Sequence, residues 1–313
     1  MAKAIHQQYS PGVHKLIQHL GHLDAMVRGE IVAPIHVSVW PTILCQFKCA
    51  YCCCRNIPQK EGELGIKEFK SAVDVLAKYG TKALEFSGGG EPLLWKHFNE
   101  AVEYVHARGI KLSLITNGVA LPAIPKKTLS RFSWIRVSLQ SLAHAKSIDF
   151  KHIPAGTRFS ASYIVPSKKE LERIHQLAVF AKETGLIIRV AVQRPSTRAW
   201  EKAVEAEVAA HGEPLFFSKK KPGAPLGCYM AWIRAAIDWR GNFLPCPSMQ
   251  LNHESEGVIP EDFGLCHISG LEKWLTDNRP HDLGYRCKFC NCGKEHNDFV
   301  YNLFKGVDDA EFV

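Results

Sequence analysis

The feature that most constrains this chain is an alternation of short β-forming runs with segments of helical period, from about His36 to Arg194. Such alternation is typical of repeated βα units around a parallel sheet. We predict six strands, at His36–Trp40, Ala83–Ser87, Lys111–Thr116, Trp134–Leu139, Phe159–Val165 and Leu186–Val192. Six units are too few to close the usual eight-stranded barrel. The sequence therefore predicts an α/β fold with an open, partial (β/α)6 barrel of the TIM type.

Apolar residues at helical spacing separate the predicted strands. In the first helix they are Ile66, Phe69, Val73, Leu76 and Tyr79. Gly80 ends that helix, and the same pattern precedes Gly109 and Gly185, whereas the helix after Ala123 is short and poorly marked. Ligands of parallel βα folds lie at the carboxyl ends of the strands, so we expect the site residues in the loops there.

The alternation ends after Thr197. A helix-like segment, Arg198–Ala210, leads through the Lys/Pro/Gly-rich stretch Ser218–Gly227 into a cysteine-rich tail. We predict three parts from this change: an N-terminal extension (1–35), the partial barrel (36–212) and a small C-terminal cysteine-rich subdomain (213–313).

The eleven cysteines fall into two groups. Five lie within Cys45 to Cys54 and six lie beyond residue 227. The N-terminal sequence lacks the apolar core of a secretory signal, and no run of about 18 apolar residues is present to span a bilayer. We therefore expect a cytoplasmic protein with no membrane partner, in which thiols stay reduced and free to bind metal. The distribution predicts two separate thiolate sites.

The formal net charge is +8. Such a charge favours anionic partners, whether nucleic acid, nucleotide or acidic peptide, without choosing among them. The run Lys219-Lys220-Lys221 precedes Pro222-Gly223 and is expected to form a loop, whose lysines either face a substrate or are simply solvated.

The first cysteine group follows the first predicted strand as Cys45-Gln-Phe-Lys-Cys49-Ala-Tyr-Cys52. Iron–sulfur clusters are normally held by four thiolates, so three thiolates on one loop can leave one iron of a four-iron cluster open to a small molecule. Zinc is the alternative, although a structural zinc site prefers four protein ligands.

This loop resembles the motif of the radical S-adenosylmethionine (SAM) superfamily, which has three cysteines at this spacing and an aromatic residue before the third. The resemblance implies that Cys45, Cys49 and Cys52 hold a [4Fe-4S] cluster whose free iron binds the amino and carboxylate groups of SAM. Tyr51 then lies near the adenine. Cys53 and Cys54 fall outside the spacing, and we expect them either to be buried as small apolar residues or to lie beside the ligands.

A second motif ends the second predicted strand, at Ser87-Gly-Gly-Gly-Glu-Pro92. It resembles the Gly-Gly-Glu-Pro motif of the same family, which implies that Gly89, Gly90, Glu91 and Pro92 take the ammonium group of SAM. Glycines there let the backbone approach a ligand closely.

Further SAM contacts are expected at the ends of the later strands. Ser138-Leu139-Gln140 resembles the family's ribose-contacting segment, although an acid commonly stands where this chain has Gln140. The other candidates are Asn117 after the third strand, Ile164 on the fifth and Gln193 after the sixth. A plain turn is the alternative for Asn117, and a core position is the alternative for Ile164.

The second cysteine group contains a predicted hairpin. Ile233–Trp239 has a strand pattern, Arg240-Gly241-Asn242 can form a turn, and Phe243–Pro245 can return. A hairpin here would bring Cys228 and Cys246 together.

This tail resembles the C-terminal extension called SPASM, or its shorter form called twitch. That resemblance implies one auxiliary [4Fe-4S] cluster held by Cys228, Cys246, Cys287 and Cys290. Cys266 and Cys292 remain at spacings that do not match a second auxiliary cluster. A structural zinc on the same four thiolates is the alternative. His267, His281 and His296 lie nearby in sequence and are expected at ordinary surface or core positions.

Together the resemblances imply an oxidoreductase that functionalises C–H bonds. The enzyme cleaves SAM reductively to a 5′-deoxyadenosyl radical, and the radical takes hydrogen from an unactivated C–H of a substrate, with the auxiliary cluster aiding oxidation or bond formation. The implied partners are SAM, a flavodoxin- or ferredoxin-like one-electron reductant and an unidentified substrate, which the net charge allows to be anionic.

Three classes of substrate remain open: small molecules, nucleotide-derived molecules, and peptide or protein side chains. The short N-terminal extension is a weak argument against a long leader peptide. Two further hypotheses stay open: a radical SAM enzyme that modifies nucleic-acid bases, and a non-catalytic zinc-binding module.

Overall fold

The computed structural model describes residues 12–54, 62–193, 196–219, 223–248, 264–285, 287–288, 290 and 293–306. The chain divides into two compact units. The barrel unit comprises Trp40–Glu63 and Glu85–Lys219, and the tail unit comprises Pro11–Val39, Leu64–Leu84 and Lys220–Val313. Both are discontinuous in sequence, so this division does not coincide with the predicted boundaries at 35/36 and 212/213, which stay predictions. In the described part of the chain, no helix is long and apolar enough to cross a membrane.

The strands of the barrel unit are β2 (Ala83–Phe86, which begins in the tail unit), β3 (Lys111–Thr116), β4 (Phe132–Leu139), β5 (Arg158–Val165), β6 (Ile188–Val192) and β7 (Leu215–Phe217). They follow one another in chain order in the sheet. From β3 to β7 every neighbouring pair is parallel. The described strands form an open sheet that does not close on itself. The structure confirms the predicted open α/β architecture.

Helices and short 3-10 turns separate these strands. The helices of the barrel unit are α4 (Phe98–Ala107), α5 (Lys126–Leu129), α6 (Leu142–Ser147), α7 (Glu172–Thr184) and α8 (Arg198–His211). They cover the outer face of the sheet through buried side chains, as where Phe98 packs on Phe86 of β2 and stacks on Phe132 of β4. The opposite, inner face carries the half-buried residues of each strand, because successive side chains point to opposite faces.

The tail unit has its own strands and helices. Its strands are β1 (His36–Val39), β8 (Arg234–Ile237), β9 (Asn242–Leu244) and β10 (Cys266–His267), and its helices are α1 (Val13–Leu16), α2 (Leu20–Val27), α3 (Ile66–Lys78), α9 (Met230–Ile233), α10 (Leu271–Asp277) and α11 (Lys294–Lys305). β1 is parallel to β8, whereas β8–β9 and β9–β10 are antiparallel. A buried cluster around Met26, Trp232 and Val300 forms its core.

The predicted strands and helices are present, with ends that differ by one or two residues. The predicted hairpin is also confirmed, since Ile237 of β8 lies opposite Phe243 of β9. The sequence did not predict the helices α1, α2, α10 and α11 or the short strand β10. Two further unpredicted features concern the sheet. β7 adds a seventh parallel strand beside β6, and β8 pairs with β1.

Candidate active site

The cysteine loop follows β1 in the chain and belongs to the barrel unit. Cys45, Cys49 and Cys52 are half-buried. Burial raises the pKa of Cys45 and of Cys49, and each pKa is raised further by the neighbouring thiol of Cys52. The backbone N–H of Phe47 donates to the Cys45 sulfur at 3.5 Å, and that of Cys54 donates to the Cys52 sulfur at 3.4 Å. The local backbone thus holds the three predicted ligands within electrostatic reach of one another.

The glycine-rich loop after β2 is hydrogen-bonded to the cysteine loop. The N–H of Gly90 donates to the Thr42 carbonyl at 2.8 Å, and that of Glu91 donates to the Leu44 carbonyl at 2.7 Å. A Cβ on Gly90 would lie 2.0 Å from the Leu44 oxygen, so only glycine permits this approach. The two motifs therefore form one structure, although they lie 37 residues apart in the sequence, counted from Cys52 to Gly89.

Glu91 is the buried carboxylate of this site, with 2% of its surface exposed. It accepts hydrogen bonds from the Thr116 hydroxyl at 2.5 Å, the Asn117 N–H at 2.7 Å and the Leu93 N–H at 3.1 Å. Burial raises the pKa of Glu91, and these three donors oppose the rise. They fix the carboxylate at the carboxyl end of β3. Pro92, buried, begins a short 3-10 turn directly after it.

Asn117 also has a side chain suited to a ligand. Its Nδ2 atom is buried and meets no acceptor at hydrogen-bond distance among the described residues. The same amide lies close enough to Cys45 to lower the pKa of that thiol. A buried amide donor beside the cysteine loop and the Glu91 carboxylate fits a polar ligand such as SAM.

Gln140, one residue past β4, contacts the cysteine loop. Its Oε1 accepts hydrogen bonds from the Cys49 thiol at 2.8 Å and from the Tyr51 hydroxyl. That hydroxyl also lies 3.4 Å from the Leu139 carbonyl, and burial raises the pKa of Tyr51. Gln140 and Tyr51, predicted separately as ribose and adenine contacts, are therefore brought together here.

The remaining predicted SAM contacts share the inner face of the sheet with Gln140. Ser138 lies opposite Ser162, and Ile164 lies opposite Ala191, so both point to the inner face. Gln193 follows β6, and its N–H donates to the Val165 carbonyl at 3.2 Å. Their contacts with SAM stay predictions.

His144 is a site residue that the sequence reasoning missed. It lies in α6, where its Nδ1 accepts from the Gln140 N–H at 3.1 Å and its ring meets the Phe47 ring edge-on at 5.3 Å. Burial lowers the pKa of His144, which keeps the imidazole neutral near pH 7. The available signal was the four-residue spacing from Gln140 across the Ser141 N-cap, which places the two side chains at one strand end.

Cys53 and Cys54 lie beside the predicted ligands. Their sulfur atoms are 3.8 Å apart, and Cys54 is buried. Hydrogen bonding to the sulfurs of Cys52 and Cys53 raises the pKa of Cys54. This thiol is therefore protonated at neutral pH in the metal-free chain.

The four thiols predicted for the second site converge in the tail unit. Burial raises the pKa of Cys228 to about 12, and the neighbouring thiols of Cys290 and Cys287 contribute. Burial likewise raises the pKa of Cys246, with contributions from Cys228, Cys290 and Cys287. In the described part of the chain, no group of three or more His, Cys, Asp or Glu side chains is arranged closely enough to hold a single metal ion. The four thiols form a soft donor set, whose chemistry suits an iron–sulfur cluster or zinc.

Two polar side chains that the sequence reasoning missed hold this second site. Asp282 accepts from the Cys228 N–H at 2.8 Å. The fully buried Asn297 of α11 accepts from the Tyr229 N–H at 2.7 Å, and its Nδ2 lies 3.9 Å from the Cys290 sulfur as a donor. They link the segment before β8 to the later cysteine pair.

The other tail cysteines and histidines are less informative. Burial raises the pKa of Cys266, on β10, to about 12 without a contribution from another thiol. Cys292 lies outside the described residues. His267 bonds Ser269 and His281 bonds the Arg279 carbonyl, as expected for surface positions.

Comparison with known proteins agrees with this site. Residues 41–157 match the Radical SAM superfamily. Over 92 residues the chain is 32% identical to the antilisterial bacteriocin subtilosin biosynthesis protein AlbA of Bacillus subtilis, an alignment that spans 29% of this chain and 20% of AlbA. It is 22% identical over 298 residues to the mycofactocin maturase MftC of Mycobacterium tuberculosis, covering 82% of this chain and 76% of that protein.

Solved structures show the same fold. Streptococcus suis SuiB, in a crystal structure with the precursor peptide SuiA, superimposes with a TM-score of 0.55 at 14% identity, covering 96% of this chain and 71% of SuiB. SuiB has also been solved with SAM, with a TM-score of 0.52 at 16% identity, covering 84% of this chain and 74% of SuiB. The chain thus spans only about a fifth of AlbA but most of MftC and SuiB. The cysteine loop and the glycine loop both lie within residues 41–157, the segment that matches the Radical SAM superfamily.

Proposed function

We propose that this chain is a radical SAM enzyme that abstracts hydrogen from an unactivated C–H of its substrate. The hydrogen-bonded pair of loops supports the proposal most directly: three thiols and a buried carboxylate are held together at the strand ends. A [4Fe-4S] cluster held there would supply the electron that cleaves SAM into methionine and a 5′-deoxyadenosyl radical.

The chain's own residues position SAM and exclude water. Cys45, Cys49 and Cys52 hold the cluster, and Glu91 accepts the ammonium group of SAM. Asn117 contributes a buried amide donor. Because Glu91 is 2% exposed, its interaction with an ammonium is little screened by water.

The thiols of Cys228, Cys246, Cys287 and Cys290 hold an auxiliary cluster in this proposal. Their mutual effect on one another's pKa supports a shared ligand. An electron acceptor there allows a net oxidation or bond formation after hydrogen abstraction. A flavodoxin- or ferredoxin-like protein in the cytoplasm supplies the first electron.

A peptide side chain is the first substrate class to test, because SuiB was solved with a precursor peptide and MftC is named a maturase. A nucleic acid is the second candidate, on the net charge of +8. Binding that weakens steeply with added salt would favour nucleic acid.

Metal analysis after anoxic reconstitution with iron and sulfide tests the proposal. We expect about eight irons per chain, and about four after Cys45, Cys49 and Cys52 are changed to Ala. Only the wild type should form 5′-deoxyadenosine from SAM with a chemical reductant. A Cys53→Ala/Cys54→Ala variant is the matched control and should keep both properties.

Two results would contradict parts of the proposal. Full iron content and SAM cleavage in the triple variant would reject the cysteine loop as the cluster site. Zinc in place of the second four irons would leave the radical chemistry intact but remove the auxiliary electron acceptor.

A further inference from the structure

The inner face of the barrel sheet carries two arginines that have no role in holding the cluster or SAM in the proposed function. On β4, Arg136 alternates with Ser138 and Gln140 and so faces the same side as the residue that contacts the cysteine loop. Arg136 lies opposite Ser160 of β5, and Ser162 lies opposite Arg189 of β6. Directly opposite residues share a face, so Arg136 and Arg189 both point inward.

The two arginines are placed so that one small group can reach both. They stand on strands two steps apart, about 10 Å across the sheet, and are offset by two residues along it, about 7 Å. Between them lie only the short side chains of Ser160 and Ser162 on β5. Long arginine side chains can therefore converge over β5.

Charge on this face favours an anion. The five strands β3 to β7 contain no acidic residue. Glu85 of β2 is a buried acid on the inner side, since Phe86 beside it packs on the outer helix α4. Among the residues within these strands, the two guanidinium groups of the inner face thus stand against the single carboxylate of Glu85. Lys111 and Arg158 are exposed at the amino-terminal ends of their strands.

The guanidinium groups are shielded and oriented. The Nε atoms of Arg136 and Arg189 are buried. The Arg136 guanidinium also lies 5.0 Å from the ring centre of Trp134, which shares its face. Both arginines make contacts within the protein, yet five N–H donors per guanidinium leave capacity for a ligand.

We propose that Arg136 and Arg189 form an anion-binding part of the substrate site, which takes a carboxylate or phosphate group of the substrate. This inference rests on the proposed function, because it places the substrate on the inner face below SAM. Arginine suits the role since its planar fork binds both oxyanions through paired hydrogen bonds, and shielding from water strengthens them.

Calorimetry at low salt tests the proposal by measuring the binding of inorganic phosphate and, separately, of acetate to the full chain. We expect millimolar binding by the wild type and at least about a tenfold loss in Arg136→Gln/Arg189→Gln. The charge-matched control, Arg131→Gln/Arg173→Gln, changes two arginines that pair with glutamates outside the inner face and should bind like wild type. Arg136→Lys/Arg189→Lys keeps the charge without the fork and should be intermediate; it also reports on the site if the Gln variant fails to fold. The anion that binds with the higher affinity indicates whether the substrate carries a phosphate or a carboxylate group.

Several outcomes would overturn the inference. They are an absence of binding by the wild type, an equal loss in the charge-matched control, or unchanged binding in the Gln variant. A tenfold loss of SAM affinity in the Gln variant would instead assign the arginines to the SAM carboxylate and reject a substrate role. Anion binding is measured without the cluster, so failure of the radical chemistry leaves this result readable on its own.

Discussion

Glu91 is the side chain on which the most hydrogen bonds of this site converge. Three donors converge on its carboxylate, two of them from the end of β3, and the residue is almost completely buried. A charged acceptor in such a place is stabilised only while the donors remain. The sequence predicted Glu91 as a ligand for the SAM ammonium, but it did not predict the hydroxyl of Thr116 as its support, because no motif records a contact between strand ends.

Glu91→Gln should weaken SAM binding at least about tenfold and lower the free energy of unfolding by about 1–3 kcal/mol. The new amide group presents a donor to Thr116 or Asn117, which themselves donate, and it carries no charge to form an ion pair with an ammonium. SAM affinity by calorimetry and urea unfolding measure the two effects. Glu100→Gln, an exposed acid on α4, should change neither, and wild-type SAM affinity in the Glu91 variant would reject the assigned role.

Asn297→Ala should destabilise the second thiol site. It removes the acceptor for the Tyr229 N–H and the donor near Cys290 from a fully buried position, at a cost of about 1–3 kcal/mol. We expect iron at the second site to fall while that at the first site is retained, as measured by iron per chain. Asn302→Ala, exposed on the same helix, is the control. Equal iron contents in both variants would show that Asn297 does not position the cysteines.

At the level of elements, the cysteine loop and the glycine loop behave as one unit joined by two backbone hydrogen bonds. Their contact is too close for any side chain at Gly90, whereas a Cβ on Gly88 would approach only the Gly90 oxygen, at 3.8 Å. Substitutions at these two glycines therefore distinguish the steric effect of the contact between the loops, at Gly90, from the general effect of replacing a loop glycine, at Gly88.

Gly90→Ala should lower the free energy of unfolding by about 3 kcal/mol, because the Leu44 backbone must move to admit a methyl group. It should also reduce iron at the first site. Gly88→Ala should stay within about 1 kcal/mol of the wild type. Chemical unfolding of both variants makes the comparison, and similar losses in the two would mean that the loops are not in contact as described.

The elements show where sequence was sufficient and where it was not. Strands with four or more β-forming residues next to a strong helical period, such as β3 after α4, were predicted to within a residue or two. β7 is three residues long, Leu215–Phe217, and no period can be read from so short a run. The β1–β8 pairing joins Val37 to Ala235, and nothing local in either segment indicates a partner so distant in sequence. His144 was missed for the same reason: its role comes from Phe47 and Gln140, which approach it only in the fold.

At the scale of the whole molecule, the two thiol sites lie in different compact units, and each is built from residues of its own unit. The first depends on the loops after β1 and β2, and the second depends on the segment around Cys228 and on α11. The sites should therefore lose their metal independently.

Cys228→Ser/Cys290→Ser should reduce the iron content from about eight to about four per chain. SAM cleavage in the absence of substrate should persist, because the first site is intact, whereas conversion of substrate should stop. Iron analysis and 5′-deoxyadenosine formation, measured on the same preparation, test this separation. If SAM cleavage disappears while the four irons of the first site remain, the second site has a role in the radical step itself.

The alternation along β4 has a consequence for selectivity. Gln140 stands at the mouth of the inner face, and Arg136 lies four residues deeper, about 13 Å along the strand. If the charged end of a substrate binds at Arg136, the distance between that end and the radical determines which carbon of the substrate reacts. In a series of anions of increasing chain length, the reaction should then stay at the same carbon counted from the charged end, whatever the length of the chain beyond it.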